Sequence, residues 1–232
     1  MMKVWIPCLL LLLGIPSLKA DRDITVVSDL SLQGRKFPIT DKNHPQYYQP
    51  LIGGFHFYGD PIPGLKPIPT IAVVKAVARE LAKENYLVMS IEHPKADILL
   101  DITWGVITPD SDTDSVKNQI ERFNLVLGHT ITSVMPTESF NRSQYLDAAF
   151  DERYFIVLTA YDADKYTKTK KRVALWQTKM SIPLSGIEFT DIIDRLVASG
   201  APYFGKETAS HPALTPITPQ GKVEVGNPTV KP

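Results

Sequence analysis

Residues 70–107 read TIAVVKAVARELAKENYLVMSIEHPKADILLDITWGVI, and the fold class follows from how this run is punctuated. Pro69 cannot continue a helix backwards, and Thr70 carries the hydroxyl of a good N-cap, so a helix is predicted to start at Thr70. Ile71, Val74, Ala78 and Leu81 recur at three- and four-residue spacing with Val77 beside them. Lys75, Arg79, Lys83 and Glu84 fall elsewhere, which predicts one apolar face and one solvated face. Asn85 tolerates a left-handed turn and ends the helix. Burying five such side chains stabilises by about 10 kcal/mol before ordering entropy is charged. A helix this short is marginal alone and must dock on a surface. That surface follows directly. Tyr86–Ile91 reads as a short strand and His93-Pro94 as a turn. Ile98–Ile107 reads as a longer strand with Ile98, Leu100, Ile102, Trp104 and Val106 on one face and Leu99, Asp101, Thr103, Gly105 and Ile107 on the other.

Working outward toward the N-terminus, Ile24–Val27 fits a strand, Lys42–Pro50 is turn-rich and irregular, and Leu51–Gly59 fits a strand with glycines at one end. Pro61, Pro63, Gly64, Pro67 and Pro69 make an extended linker into the helix. Toward the C-terminus, Val116, Ile120, Phe123 and Leu127 place a helix that Gly128 ends, and a second short helix is expected over 142–150. Tyr154–Tyr161 and Val173–Ile182 form an expected hairpin, with a polar loop over 162–172. In its second strand Trp176, Thr178, Met180 and Ile182 share a face toward the core, and Gln177, Lys179 and Ser181 share one toward water. Ser185 to Glu188 has capping-box spacing and opens a helix carrying Phe189, Ile192, Ile193, Leu196 and Val197, which Gly200 and Pro202 close.

This order predicts an α+β fold: a largely antiparallel or mixed sheet packed with three main amphipathic helices. The predicted core is Val74, Leu81, Leu100, Ile102, Trp104, Val157, Trp176, Ile192 and Leu196. The reading divides the chain into a signal peptide over 1–20, a single α+β domain over 21–205 and a proline-rich extended C-terminal tail over 206–232, in which Lys222–Val225 alternates as a short edge strand would.

The signal-peptide reading rests on Lys3, the apolar run Trp5–Ile15 and the small residue Ala20 before Asp21. It implies an exported protein, periplasmic or extracellular. No later apolar run is long enough for a transmembrane helix in the mature chain. The single cysteine, Cys8, lies within that apolar run, so the mature chain is expected to hold no disulfide and no thiolate. A cysteine-free exported chain fits a bacterial envelope better than an animal extracellular space. Net charge is zero, and the most basic segment, Lys165–Arg172, is short, so nucleic acid is excluded as a partner.

The carrying residues Ala96-Asp97-Ile98-Leu99-Leu100 after an amphipathic helix, with Tyr161-Asp162 and Leu175-Trp176 across a hairpin, resemble a set of uncharacterised exported bacterial envelope proteins, often lipoproteins, with a small α/β domain. The resemblance covers residues 70–200. It implies location and fold, and such families carry no agreed active site. This chain departs from the lipoprotein members in lacking a lipobox cysteine.

Chemistry is sparse in the sequence. The five histidines, His44, His56, His93, His129 and His211, show no metal-ligand spacing. Glycines 53, 54, 59 and 64 do not form a phosphate loop. The aspartates of Pro109–Asp114 lack the spacing of a calcium loop. No G-x-S-x-G elbow occurs. No catalytic, cofactor or metal site is predicted. Asp101, Trp104 and Trp176 stand as candidates for a ligand site, and each has a plainer reading: a carboxylate on the wetter strand face, and two rings packed in a core. Two functions are carried forward. One is a non-catalytic envelope protein that binds or assembles with an envelope protein or polysaccharide. The other is a hydrolase of cell-wall or carbohydrate material with an unrecognised site.

Overall fold

A computed structural model describes residues 23–108, 124, 151–184, 186, 188–208 and 213–216. Its strands are β1 (Asp23–Leu30), β2 (Gln46–Tyr58), β3 (Tyr86–Val88), β4 (Ile98–Ile107), β5 (Arg153–Asp162), β6 (Ala174–Pro183) and β7 (Ala213–Pro216). Its helices are α1 (Thr70–Lys83), α2 (Ala163–Thr169) and α3 (Phe189–Gly200). The strands form one mixed sheet in the order β3-β2-β4-β5-β6-β1-β7. β2 runs parallel to β3 and β4, and every other pairing is antiparallel. The fold is thus α+β, and the helix α1 makes the crossover that a parallel β2–β3 connection requires. Among the described residues no helix is long and apolar enough to cross a membrane.

α1 and α3 touch each other over one face of the sheet. The main core lies between them and alternate residues of the strands: Ile98, Leu100, Ile102, Trp104 and Val106 of β4, Ile156 and Leu158 of β5, and Trp176, Met180 and Ile182 of β6. The helices contribute Val73, Val77 and Leu81 from α1 and Ile192, Ile193, Leu196 and Val197 from α3. Gly200 lets α3 close down on β6: a Cβ there would meet the Met180 Sδ at 2.3 Å.

The buried stripe of α1 differs from the one predicted. It runs Val73, Ala76, Val77, Glu80 and Leu81, whereas Ile71 is 61% exposed and Val74 only half-buried. The apolar pattern misleads because the true stripe contains an acid. Glu80 accepts from Lys83 Nζ at 2.7 and 2.8 Å and from Arg79 Nε at 2.9 Å. Burial alone would raise its pKa, but the hydrogen bonds from Lys83 and Arg79 outweigh that and hold the carboxyl below its ordinary value. The helix cap also differs. Pro69 occupies the N-cap position, Thr70 is already helical, and no side chain caps the first turn. Asn85 does adopt the expected left-handed conformation, at φ 62°.

The second face of the sheet is not the wet face expected. Val27, Leu99, Ile107, Phe155 and Val157 are buried there, together with Thr25, Asp29, Arg153, Lys179 and Ser181. Val157 is therefore buried as predicted but belongs to this face and not to the helix-covered core. Buried polar groups require partners. The Arg153 guanidinium donates to Ser181 Oγ at 3.2 Å and to Thr25 Oγ1 at 3.0 Å, and Lys179 Nζ donates to the Asn124 carbonyl.

Three segments take structure that the sequence hid. β2 begins at Gln46, inside the stretch read as irregular. Its Pro50 is tolerated because the Tyr48 carbonyl takes the Met89 N–H on the β3 side, and Pro50, two residues on, faces the same way, where no described strand pairs with it. The polar linker over 162–172 holds α2, whose first turn is capped by Asp162 accepting from Lys165 N at 2.9 Å and whose end is the left-handed Lys170. α3 starts at Phe189 with Glu188 in the N-cap position and no side-chain cap. Beyond Gly205, Thr208 is buried, with its N–H on the Ser28 carbonyl at 3.0 Å and its Oγ1 accepting from Ser28 N at 3.2 Å. β7 then pairs antiparallel with β1, so Ala213–Pro216, within the stretch read as an extended tail, adds an edge strand to the sheet. The expected signal peptide, the aspartate loop at 109–114, the helices at 116–127 (Asn124 apart, which is helical) and 142–150, and Lys222–Val225 lie outside the described residues.

Candidate functional site

The three sequence candidates do not converge. Asp101 faces the second side of the sheet, and Trp104 and Trp176 face the helices. The Asp101 carboxylate accepts from Thr103 Oγ1 at 3.2 Å and lies 3.9 Å from Arg172 Nη1, whose guanidinium sits 5.6 Å from the Tyr161 ring centre. Gly53 makes room for this arrangement, since a Cβ there would stand 2.7 Å from Asp101 Oδ1. No second carboxylate bonds into the cluster among the described residues, and a lone satisfied acid performs no acid–base pairing. Trp104 is fully enclosed in the core.

Trp176 differs, because it stands at the edge of a groove of about 720 Å³. Three turns build that groove. The first follows β1: Ser31 N bonds to the Leu175 carbonyl at 2.9 Å, Ser31 Oγ donates to Ala174 O at 2.6 Å and accepts from Gly34 N at 2.9 Å. This pins the turn to β6 so closely that only glycine fits at 34, where a Cβ would stand 1.9 Å from the Leu175 oxygen. Phe37, Pro38 and Ile39 then run along one wall. The second turn is the left-handed Asn85 between α1 and β3, whose carbonyl accepts from Gln46 N at 3.1 Å and Thr40 Oγ1 at 3.0 Å. The third is Phe204–Glu207, with Gly205 at φ 68°.

The groove floor is aromatic. Trp176 lies 5.6 Å from the Tyr86 ring and 6.0 Å from the Phe204 ring, stacked on the latter with the two planes 18° apart. The rim is charged but balanced: Arg35, Lys42 and Lys206 face Asp41, Glu84 and Glu207. Arg35 pairs with Glu207, and Lys206 Nζ lies 3.3 Å from Glu84. Asp41 accepts from the backbone N–H groups of Asn43 and His44 at 2.7 and 2.8 Å, which hold its carboxyl below the ordinary range. A carboxyl so stabilised in its ionised form is a poor proton donor. Serine, cysteine and histidine are all missing from the described lining.

Two indole nitrogens are buried without a partner among the described residues: the Nε1 of Trp176, a residue 3% exposed, and the Nε1 of Trp104, enclosed in the core. The Tyr86 hydroxyl and Trp176 Nε1 both lie beside Gly205: a Cβ built there would stand 2.0 Å from the Tyr86 oxygen and 3.7 Å from Trp176 Nε1. Burial, with Glu84 adding to it, pushes the Tyr86 phenol well above its usual pKa, so it stays protonated. Sequence reasoning singled out Trp176 but not Tyr86, Phe204, Arg35 or Glu207. The available signals were the two turn formers Asn85 and Gly205, which bracket the aromatic residues in sequence.

No protein-family model matches the chain, and comparison with curated proteins finds no match. Among solved structures it overlaps a PDZ domain protein from Parabacteroides distasonis at 12% identity and a TM-score of 0.41, over 84% of this chain and 39% of that one. This chain therefore spans well under half of that protein. It also overlaps the PelC dodecamer from Paraburkholderia phytofirmans at 8% identity and a TM-score of 0.38, over 80% of this chain and 99% of that one. A PelC point variant from the same organism overlaps at 9% identity and a TM-score of 0.36, over 76% and 92%.

Proposed function

We propose that this protein is an exported, non-catalytic component of a bacterial envelope, and that the groove between the Ser31–Lys42, Asn85 and Phe204–Glu207 turns is its binding site. Export rests on the sequence character of residues 1–20. The observation that carries the binding reading is the pairing inside the groove: an aromatic floor beneath a rim whose charges are matched, Arg35 with Glu207 and Lys206 with Glu84. A groove of this volume lies within the range of small-ligand sites, which run at about 300–1,000 Å³ and are lined by aromatic residues with a few polar groups. The carboxylates there are engaged as ion-pair or backbone acceptors, which supports binding over proton transfer.

The test is retention of envelope material on the immobilised protein. Arg35→Glu sets two carboxylates against each other at the rim and should abolish retention. Ile91→Ala, at a fully exposed position that does not line the groove, should leave it unchanged. Equal retention by wild type and Arg35→Glu would refute the groove as the binding site. Turnover of purified cell-wall glycan by the wild-type protein would establish the hydrolase instead.

A further inference from the structure

The connection between β5 and β6 concentrates positive charge on a chain whose net charge is zero. Residues 163–172 hold Lys165, Lys168, Lys170, Lys171 and Arg172 against the single acid Asp164. We propose that this end of the hairpin docks on the surface of an anionic lipid bilayer. Asp164 is already engaged by Lys95 Nζ at 3.1 Å, and Arg172 Nη1 lies 3.9 Å from Asp101. The ammonium groups of Lys165, Lys168, Lys170 and Lys171 form no ion pair among the described residues, and Lys170 stands only over the Tyr166 ring, 5.8 Å from its centre. Residues 167–172 are all exposed, so these charges face water.

The fold makes no use of them. α2 is held by Asp162 accepting from Lys165 N at 2.9 Å, by Ala163 N on the Asp97 carbonyl at 3.2 Å, and by the Thr167 and Thr169 hydroxyls on the Ala163 and Lys165 carbonyls at 2.9 and 2.7 Å. Lys168 in the last turn already complements the dipole of so short a helix. The other lysines add mutual repulsion with no internal acceptor, and an external anionic surface relieves it. The backbone is thus fixed while the charged ends stay free.

The arrangement favours a plane over a chain. A linear polyanion is tracked by a groove or a stripe of cations. Here the cations are confined to one hairpin connection, and acids bound them on both sides, Asp164 before Lys165 and Asp101 beside Arg172. A headgroup layer needs no groove, and each lysine near it adds its own attraction, about fivefold in partitioning. None of residues 163–172 lines the groove, so this contact is separate from the binding site proposed above.

The experiment is co-sedimentation of the full chain with phosphatidylcholine vesicles, pure or containing about one-third phosphatidylglycerol. Heparin, followed by fluorescence anisotropy of the labelled protein, serves as the linear-polyanion arm. Wild type should sediment with the anionic vesicles and not the neutral ones, and about 0.5 M salt should release it. Lys165→Gln, Lys168→Gln and Lys171→Gln together should weaken partitioning about a hundredfold. The left-handed Lys170 stays in place there, and a melting curve checks the fold. Lys36→Gln, Lys66→Gln and Lys75→Gln change the net charge equally at exposed positions elsewhere, and should keep binding within about twofold of wild type. No sedimentation of wild type with anionic vesicles, binding to heparin alone, or equal losses in the two triple variants would overturn the proposal. The wild-type result stands whether or not either variant folds.

Discussion

Lys179 makes the sharpest prediction about stability. It sits on the second face of β6 at 3% exposure, between Val27 and Val157 in register, with its ammonium on the Asn124 carbonyl. Burial pushes its pKa down to about 8 from 10.5, and Asp29 offsets part of that. Below the folded value both the folded and unfolded chains carry the proton, so the penalty for burying the charge is present in full. Between the folded and unfolded values the unfolded chain binds more protons, and stability must rise with pH. Integrating over that window gives a gain of about 2 kcal/mol at about pH 9.5 relative to about pH 7. For a chain of this size that raises the melting temperature by about 4–8 °C.

Other titrating groups bound the window. Arg153, pushed down to about 10 by burial, acts in the same direction but only above that pH. Tyr48, Tyr86, Tyr154 and Tyr161 are raised by burial, so they favour unfolding once free tyrosines ionise, above about pH 10. The effect is therefore read between about pH 8 and pH 10, from urea midpoints followed by tryptophan fluorescence. Lys179→Met should remove the slope. A wild-type midpoint that is flat or falls across this window would refute a buried, charge-penalised Lys179.

The remaining predictions address α1 and the far edge of the sheet. Leu81→Ala should cost about 3–4 kcal/mol and Ile71→Ala less than about 1; equal losses in chemical denaturation would mean that α1 is rotated from the orientation described. Glu80→Gln should cost about 1–2 kcal/mol near neutral pH, since its cationic partners are largely exposed. Its folded pKa is depressed, so the contribution is present above the unfolded value and lost as pH falls through the folded one; an acid melting series should lose that step in the variant. Ending the chain after Gly205 removes the Thr208–Ser28 hydrogen bonds and β7, and should lower the melting temperature by about 5–10 °C. A shift within about 2 °C would show that this edge contributes nothing.

The strands of this fold were legible wherever alternation is local. The apolar faces of β4 and β6 follow period two in the sequence and are buried as that period requires. What the sequence hid depends on neighbours far along the chain. Alternation marks two faces of a strand but does not say whether the polar one is wet. Gln177, Lys179 and Ser181 read as a solvent face, yet Ser181 is fully buried because Arg153 and Thr25 reach it from the adjacent strands. Pro50 reads as a break, and is tolerated at a sheet edge that only the strand order reveals. The stripe of α1 was displaced for a similar reason. Glu80 carries charge, and hydropathy alone assigns it to water, whereas Arg79 and Lys83 let it lie on the buried side.

The same distinction governs the site. Asp101 and Trp104 are three residues apart in one strand, and an odd separation places their side chains on opposite faces. That parity was available in the sequence and already separates the carboxylate from the tryptophan. Trp176 shares the face of Trp104, but its register with Ala160, and through it with Leu100, sets it nearer the opposite end of β4. The neighbours that share the groove with Trp176 come from elsewhere: Tyr86 from β3, Phe204 from the turn after α3, and Arg35 from the turn after β1. Each is locally an ordinary strand or turn residue. Only the placement of β1 beside β6, a pairing across about 150 positions of sequence, brings the turn after β1 over Trp176. A groove assembled from three turns has no motif of its own, so its chemistry can be read only after the strand order is known.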